Sequence, residues 1–211
     1  MYDKERIITA YIEFYNKNNR FPEDATEFAN YLGSEAFDFL KSFNPLVSLK
    51  AFIWEEYFDK ALNQCQQDPN FESYACREVY LSILYNLVNV LNERRDMNKA
   101  MISFTKSLPS FPKELKKMKV NATAFYKEMI SAGQNSGEIA SRPLVDYQYN
   151  KWCWYGTIFV IFFWIKDTSE QNEQTDVAIE KVAHLIFDIL NPNAVDSSIE
   201  FFTFLFKQGF K

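Results

Sequence analysis

FANYLGSEAFDFLKSFNPLVSL, residues Phe28 to Leu49, carries one glycine ten positions before Phe43, and Phe43 lies six before Leu49. Gly33 stands where a tight turn between two helices needs a residue without a Cβ. Phe28, Ala29, Leu32, Phe39, Phe43 and Leu49 recur around it as one apolar set. The pattern predicts a helix-turn-helix. The residues left for the outer face of its second helix are Ser34, Glu35, Asp38, Lys41 and Ser42. Two of these are carboxylates, which a phosphate-lined groove repels. The spacing thus points to DNA while the charges oppose it.

The same opposition holds over the whole N-terminal region. Residues 1–50 contain Lys4, Arg6, Lys17, Arg20, Lys41 and Lys50 against Asp3, Glu5, Glu13, Glu23, Asp24, Glu27, Glu35 and Asp38, a net charge of −2. The full chain of 211 residues carries −5 with a pI near 5.1, which argues against a broad, non-specific nucleic-acid binder. A hydrophobic share of 47% is enough for a sizeable core. Aromatic residues make up 18%, enough for some rings to line a cavity or an interface rather than the core alone.

Outward from the opening stretch, helical spacing continues in both directions. Ile7, Ile8, Tyr11, Ile12 and Phe14 predict a first helix over about Asp3 to Asn16. A second opens at Phe21-Pro22-Glu23-Asp24 and runs to about Leu32, and a third covers about Ser34 to Phe43 before Asn44-Pro45 ends it. Further helices are expected over about Leu46 to Gln66, Ser73 to Arg94, Lys99 to Leu108, Lys113 to Ala132, Pro143 to Lys166, Thr175 to Leu190 and Ser197 to Lys207, with Gly133 to Gly137 as a loop. The fold class is all-α: a helix-turn-helix domain over residues 1–48 and a larger helical domain over 49–211.

This order resembles the TetR family of bacterial transcriptional regulators. Ala10 and Phe14, Phe28-Ala29, Leu32-Gly33, Phe39, Phe43 and Leu49 are similar in spacing to the family's N-terminal pattern. The segments YACREVYLSILY (74–85), FWIKDTSEQNEQTDVAIEKVAHLIFDIL (163–190) and FFTFLFK (201–207) are similar to a subgroup common in Bacteroidetes. The resemblance implies a homodimer that binds operator DNA and releases it when an apolar small molecule enters the C-terminal domain. It also implies a four-helix dimer seam from the helices at 143–166 and 175–190. Where the family's third helix carries Thr-Leu-Tyr-x-Tyr-Phe, this chain has Asp38-Phe39-Leu40-Lys41-Ser42-Phe43. The apolar scaffold is kept and the DNA-touching residues are not. A TetR-fold protein that has given up DNA and carries a lipid-like ligand is therefore the second reading.

Lys17, Arg20, Ser34, Lys41, Ser42 and Lys50 are the candidate DNA contacts, with solvated surface positions as the plain alternative. Tyr80, Tyr85, Phe125, Trp152, Tyr155, Phe159 and Phe163 are the candidate pocket rings, with core packing and dimer contact as theirs. His184 lies four residues before Asp188 and can bond to it, as a packed or interface histidine. Cys65, Cys76 and Cys153 are odd in number and lack a CxxC spacing, so neither a disulfide framework nor a zinc site is expected, and reduced thiols fit a cytoplasmic location. The first residues, MYDKERIITAY, have no apolar signal core. The longest apolar run, Trp152 to Ile165, has 14 residues, short of the roughly 18–20 that span a bilayer. No phosphate-binding glycine loop, metal-spaced ligand set or Ser-His-Asp order appears, so no enzyme, cofactor or metal is expected.

Overall fold

A computed structural model describes residues 4–33, 45–102 and 112–192. Among these residues every regular element is a helix: α1 (Lys4–Asn18), α2 (Ala25–Leu32), α3 (Pro45–Gln66), α4 (Cys76–Asn92), α5 (Arg95–Met101), α6 (Lys116–Ser136), α7 (Tyr149–Lys166) and α8 (Glu173–Leu190). The helices expected over 34–43 and 197–207 lie outside the described residues.

α1 is amphipathic, and its Ile7, Tyr11 and Phe14 turn inward, with Tyr11 edge-on to Phe28 of α2 at 5.3 Å between ring centroids. α2 begins at Ala25 rather than at the expected Phe21, because the Asp24 carboxylate accepts the Glu27 backbone N–H at 2.8 Å and so fixes the first turn. Pro22 stays in the preceding loop. At its other end Gly33 adopts φ 97° and ψ 162°, a conformation open essentially to glycine alone, so the chain leaves α2 where the sequence pattern placed the break.

α3 runs unbroken from Pro45 to Gln66 and packs against α4 and α6. α4 begins at Cys76 with Ala75 at its N-cap, a residue with no side-chain acceptor. The Glu138 carboxylate substitutes, accepting the Cys76 N–H at 3.0 Å and the Arg77 N–H at 3.4 Å. α6 corrects the sequence reading: the segment Gly133 to Ser136 is helical rather than a loop, and only Gly137, at φ 82°, ends it. Gly133 lies directly over Cys76 and Ile139, where a Cβ would come within 2.7 Å of the Cys76 sulfur. The glycine thus serves a close packing contact rather than a turn.

α7 starts at Tyr149, after a short 3-10 turn at Asp146–Gln148, six residues later than the Pro143 expected. It packs between α6 and α8, while α8 also leans on α4. One continuous apolar core runs from α1 through α8. Among the described residues no helix is long and apolar enough to cross a membrane, and no group of His, Cys, Asp or Glu is spaced to hold a metal ion.

Candidate functional site

The interior of the C-terminal bundle is organised by two tyrosines. Tyr80 of α4 and Tyr126 of α6 are both fully buried, with rings edge to face at 5.4 Å. The Tyr80 hydroxyl donates to the Cys153 carbonyl at 2.8 Å. The Tyr126 hydroxyl shares a hydrogen bond with Thr157 Oγ1 at 2.8 Å, and Thr157 Oγ1 in turn donates to the Cys153 carbonyl at 3.0 Å. Burial pushes both phenols far above their ordinary range, so both stay neutral. The polar atoms of this layer satisfy one another, and what remains around them is apolar. Phe187 lies 5.9 Å from Tyr80, Phe58 lies 6.0 Å from Tyr126, and Phe125 lies 6.4 Å from Phe58.

The seven candidate pocket rings divide between two sides of α7. Tyr80 and Phe125 belong to the inner layer, and Trp152 is buried with its ring 5.1 Å from Tyr149. Tyr85 sits at the bundle's edge and donates to Glu180 at 2.9 Å; partial burial and then that carboxylate push its phenol up to about 12. Tyr155 is half-buried. Phe159 and Phe163, with rings 6.0 Å apart, lie on the outer side, where Phe159 is 48% exposed. Phe159 and the inward-facing Thr157 are two residues apart on one helix, so Tyr80 and Phe159 cannot line the same cavity within one chain. Val177 and Leu185 of α8 are exposed too.

His184 makes the expected contact with Asp188, Nε2 to Oδ2 at 3.1 Å, but both side chains are 62% exposed. It is a surface histidine and not a packed one. The three cysteines are buried thiols.

At the N-terminal end, three candidate DNA contacts fall among the described residues. Lys17 is exposed, with its Nζ 6.0 Å from the Tyr31 ring centre. Arg20 is committed elsewhere. Its guanidinium donates to both Glu27 oxygens at 3.0 and 2.5 Å and to the Phe21 carbonyl at 3.1 Å. That bond, with the Glu23 N–H, holds the Glu27 carboxyl down at about 2. Lys50 is half-buried with Nζ 5.1 Å from the Phe21 ring centre, and burial lowers its pKa against the opposing effect of Glu114. Ser34, Lys41 and Ser42 lie outside the described residues.

Two structural centres escaped the sequence reading. Asp167, between α7 and α8, is 4% exposed; its Oδ1 accepts from the Ser169 N–H and hydroxyl at 2.8 and 2.6 Å, and its Oδ2 from the Thr175 N–H and hydroxyl at 2.8 and 2.6 Å. The signal was present as Asp-Thr-Ser just after an apolar run, a composition that favours local side-chain to backbone bonds. Beside it, Arg95 bonds to Asn172 and to the Asp167 carbonyl at 2.7 Å, with its guanidinium 5.5 Å from the centre of the Trp164 ring. Trp164 donates to Asn92 at 2.7 Å. No local sequence pattern marks that group, because its members come from two distant stretches, 92–95 and 164–172.

The described residues form an all-α bundle preceded by a helix pair that ends at Gly33. A family model described as Tetracyclin repressor-like, C-terminal domain, matches residues 80–205, more than half of the chain. The chain belongs to the TetR family. No curated protein and no solved structure matches it.

Proposed function

We propose that this chain is a cytoplasmic, homodimeric, ligand-responsive transcriptional regulator whose effector is an apolar small molecule. The observation that carries the reading is the family's C-terminal domain over residues 80–205, placed after a helix pair broken at Gly33. Residues 1–48 form the DNA-facing domain and residues 49–211 the effector and dimer domain, with α3 as the continuous rod between them. Lys17, Lys41 and Ser42 are the phosphate-facing donors. An effector enters beside Phe125, Phe58 and the Tyr80–Tyr126 pair, whose hydroxyls are already bonded and so select for apolar chemistry. The outer rings Phe159 and Phe163 belong to the dimer seam with α8. Effector and operator compete by population shift, each binding one of two arrangements more tightly.

Selection of binding sequences from random duplexes, followed by salt titration, tests this. A regulator enriches a defined sequence, and Lys17→Ala lowers the slope of log K against log salt by about one. The Arg20–Glu27 pair and the half-buried Lys50 favour the second reading, a TetR-fold carrier of a lipid-like ligand. Its signature is no enriched sequence together with lipid that co-purifies with the protein.

A further inference from the structure

Val120 of α6, Leu144 ahead of α7 and Tyr147 in the 3-10 turn that opens it are 62%, 87% and 59% exposed. A single large apolar side chain in solvent needs no explanation, whereas several on one face do. These three share a face. The Asn150 side chain of α7 donates to the Thr123 carbonyl of α6 at 3.2 Å, which seats the start of α7 beside the middle of α6. Leu144 and Tyr147 lie within the six residues before Asn150, and Val120 lies about one helical turn before Thr123.

Lysines frame this face. At about 100° per residue, Lys116, Val120, Thr123 and Lys127 fall within roughly 60° of one another around α6, and both lysines are exposed. Lys151, exposed as well, holds its Nζ 5.9 Å from the centre of the Tyr147 ring. Acids are displaced from the stripe. Glu128 is about 100° round α6 from Lys127, and Asp146 beside Tyr147 is partly buried. Three exposed lysines thus surround three exposed apolar groups, on a chain whose net charge is −5.

The combination discriminates between partners. A second copy related by a two-fold axis would bring two lysine-rich patches together. A nucleic-acid backbone would use the lysines and leave Leu144 and Val120 in water. An anionic bilayer uses both sets: apolar tips enter the interface, a tyrosine ring sits at headgroup level, and lysine stems lie along apolar surface with their ammonium groups among lipid phosphates. We propose that Lys116, Val120, Lys127, Leu144, Tyr147 and Lys151 form a face that docks the protein reversibly on a membrane surface rich in anionic lipid. The contact is peripheral, since no described helix is long and apolar enough to cross a bilayer. An apolar effector partitions into bilayers, so docking brings the bundle to its source.

The test is co-sedimentation of the full chain with vesicles of phosphatidylglycerol and phosphatidylcholine in equal parts, and with phosphatidylcholine alone. Wild type binds the mixed vesicles at least about tenfold more tightly, and added salt weakens that binding. Leu144→Asp with Tyr147→Ser lowers it by about tenfold or more, and Lys127→Gln by about fivefold. Lys166→Gln, exposed at the far end of α7, leaves it unchanged, and every variant keeps the wild-type mass by light scattering. Absence of wild-type binding to the mixed vesicles overturns the proposal, as does an equal loss with Lys166→Gln. A changed mass in the Leu144 and Tyr147 variant also overturns it, because the face is then a subunit contact. Lys17→Ala, which reports on DNA, leaves vesicle binding unchanged, so a failed operator selection and a failed membrane docking are told apart.

Discussion

Asp167 is a buried carboxylate held by four hydrogen bonds, two from Ser169 and two from Thr175. Burial by itself would raise its pKa. The Ser169 and Thr175 bonds outweigh that and hold it at about 2, below its ordinary 3.8. A depressed carboxyl contributes stability that is fully present above its unfolded value and lost as pH falls through its folded value. Asp167→Asn should therefore lower stability by about 2 kcal/mol at neutral pH and flatten the loss seen between pH 4 and about 2, as read by urea unfolding across that window. At the opposite end of the chain, Glu27→Gln should release Arg20 from its bidentate pair. If the N-terminal helices bind DNA, the salt slope then steepens by about one, because a guanidinium that was neutralised internally becomes available to a phosphate. An unchanged slope would show that Arg20 does not face the duplex.

Helices α4, α7 and α8 converge on Gly156. A Cβ there would collide with the Tyr80 hydroxyl and lie 2.6 Å from Ile186 Cδ1. Gly156→Ala should cost about 1–3 kcal/mol by overpacking, measured as a shift in denaturant midpoint. Combined with Tyr80→Phe, which removes the clashing oxygen, the loss should be less than the sum of the two single changes. Glu138→Ala should cost about 1 kcal/mol, because α4 then starts from Ala75 with no acceptor for its first N–H groups. Among the described residues helix existence was legible from apolar spacing, whereas helix ends were not always so: the helix expected over Lys99 to Leu108 is instead α5, Arg95–Met101, with Ile102 already extended and 103–108 outside the described residues. Asp24, three residues before Glu27, marks the start of α2 as clearly as any cap can. Gly133 reads as a loop residue and is instead helical, because the space beside it is filled by Cys76 and Ile139 from distant segments.

The outer surface of α7 and α8 carries Phe159, Val177 and Leu185 in solvent. The proposed homodimer would bury this surface in its four-helix seam, and Phe159→Asp with Leu185→Asp should then convert a dimer into a species of 24.9 kDa by light scattering. A wild-type mass already at the monomer value would remove the dimer.

The all-α class, the helix order, the break at Gly33 and the membership of the TetR family were carried by sequence alone, because they depend on local spacing and on which residues tolerate which backbone angles. The division of the aromatic rings into an inner layer and an outer surface was decided only in three dimensions. Tyr80 and Phe159 look alike in a list of apolar residues, yet Tyr80 faces inward from α4 into the core of the bundle while Phe159 faces outward from α7. The same holds for charge. Arg20 and Lys50 read as DNA contacts or solvated surface charges, yet Arg20 is paired with Glu27 and Lys50 is half-buried. Composition fixes how many charges a chain has, and only packing determines which of them still face a partner.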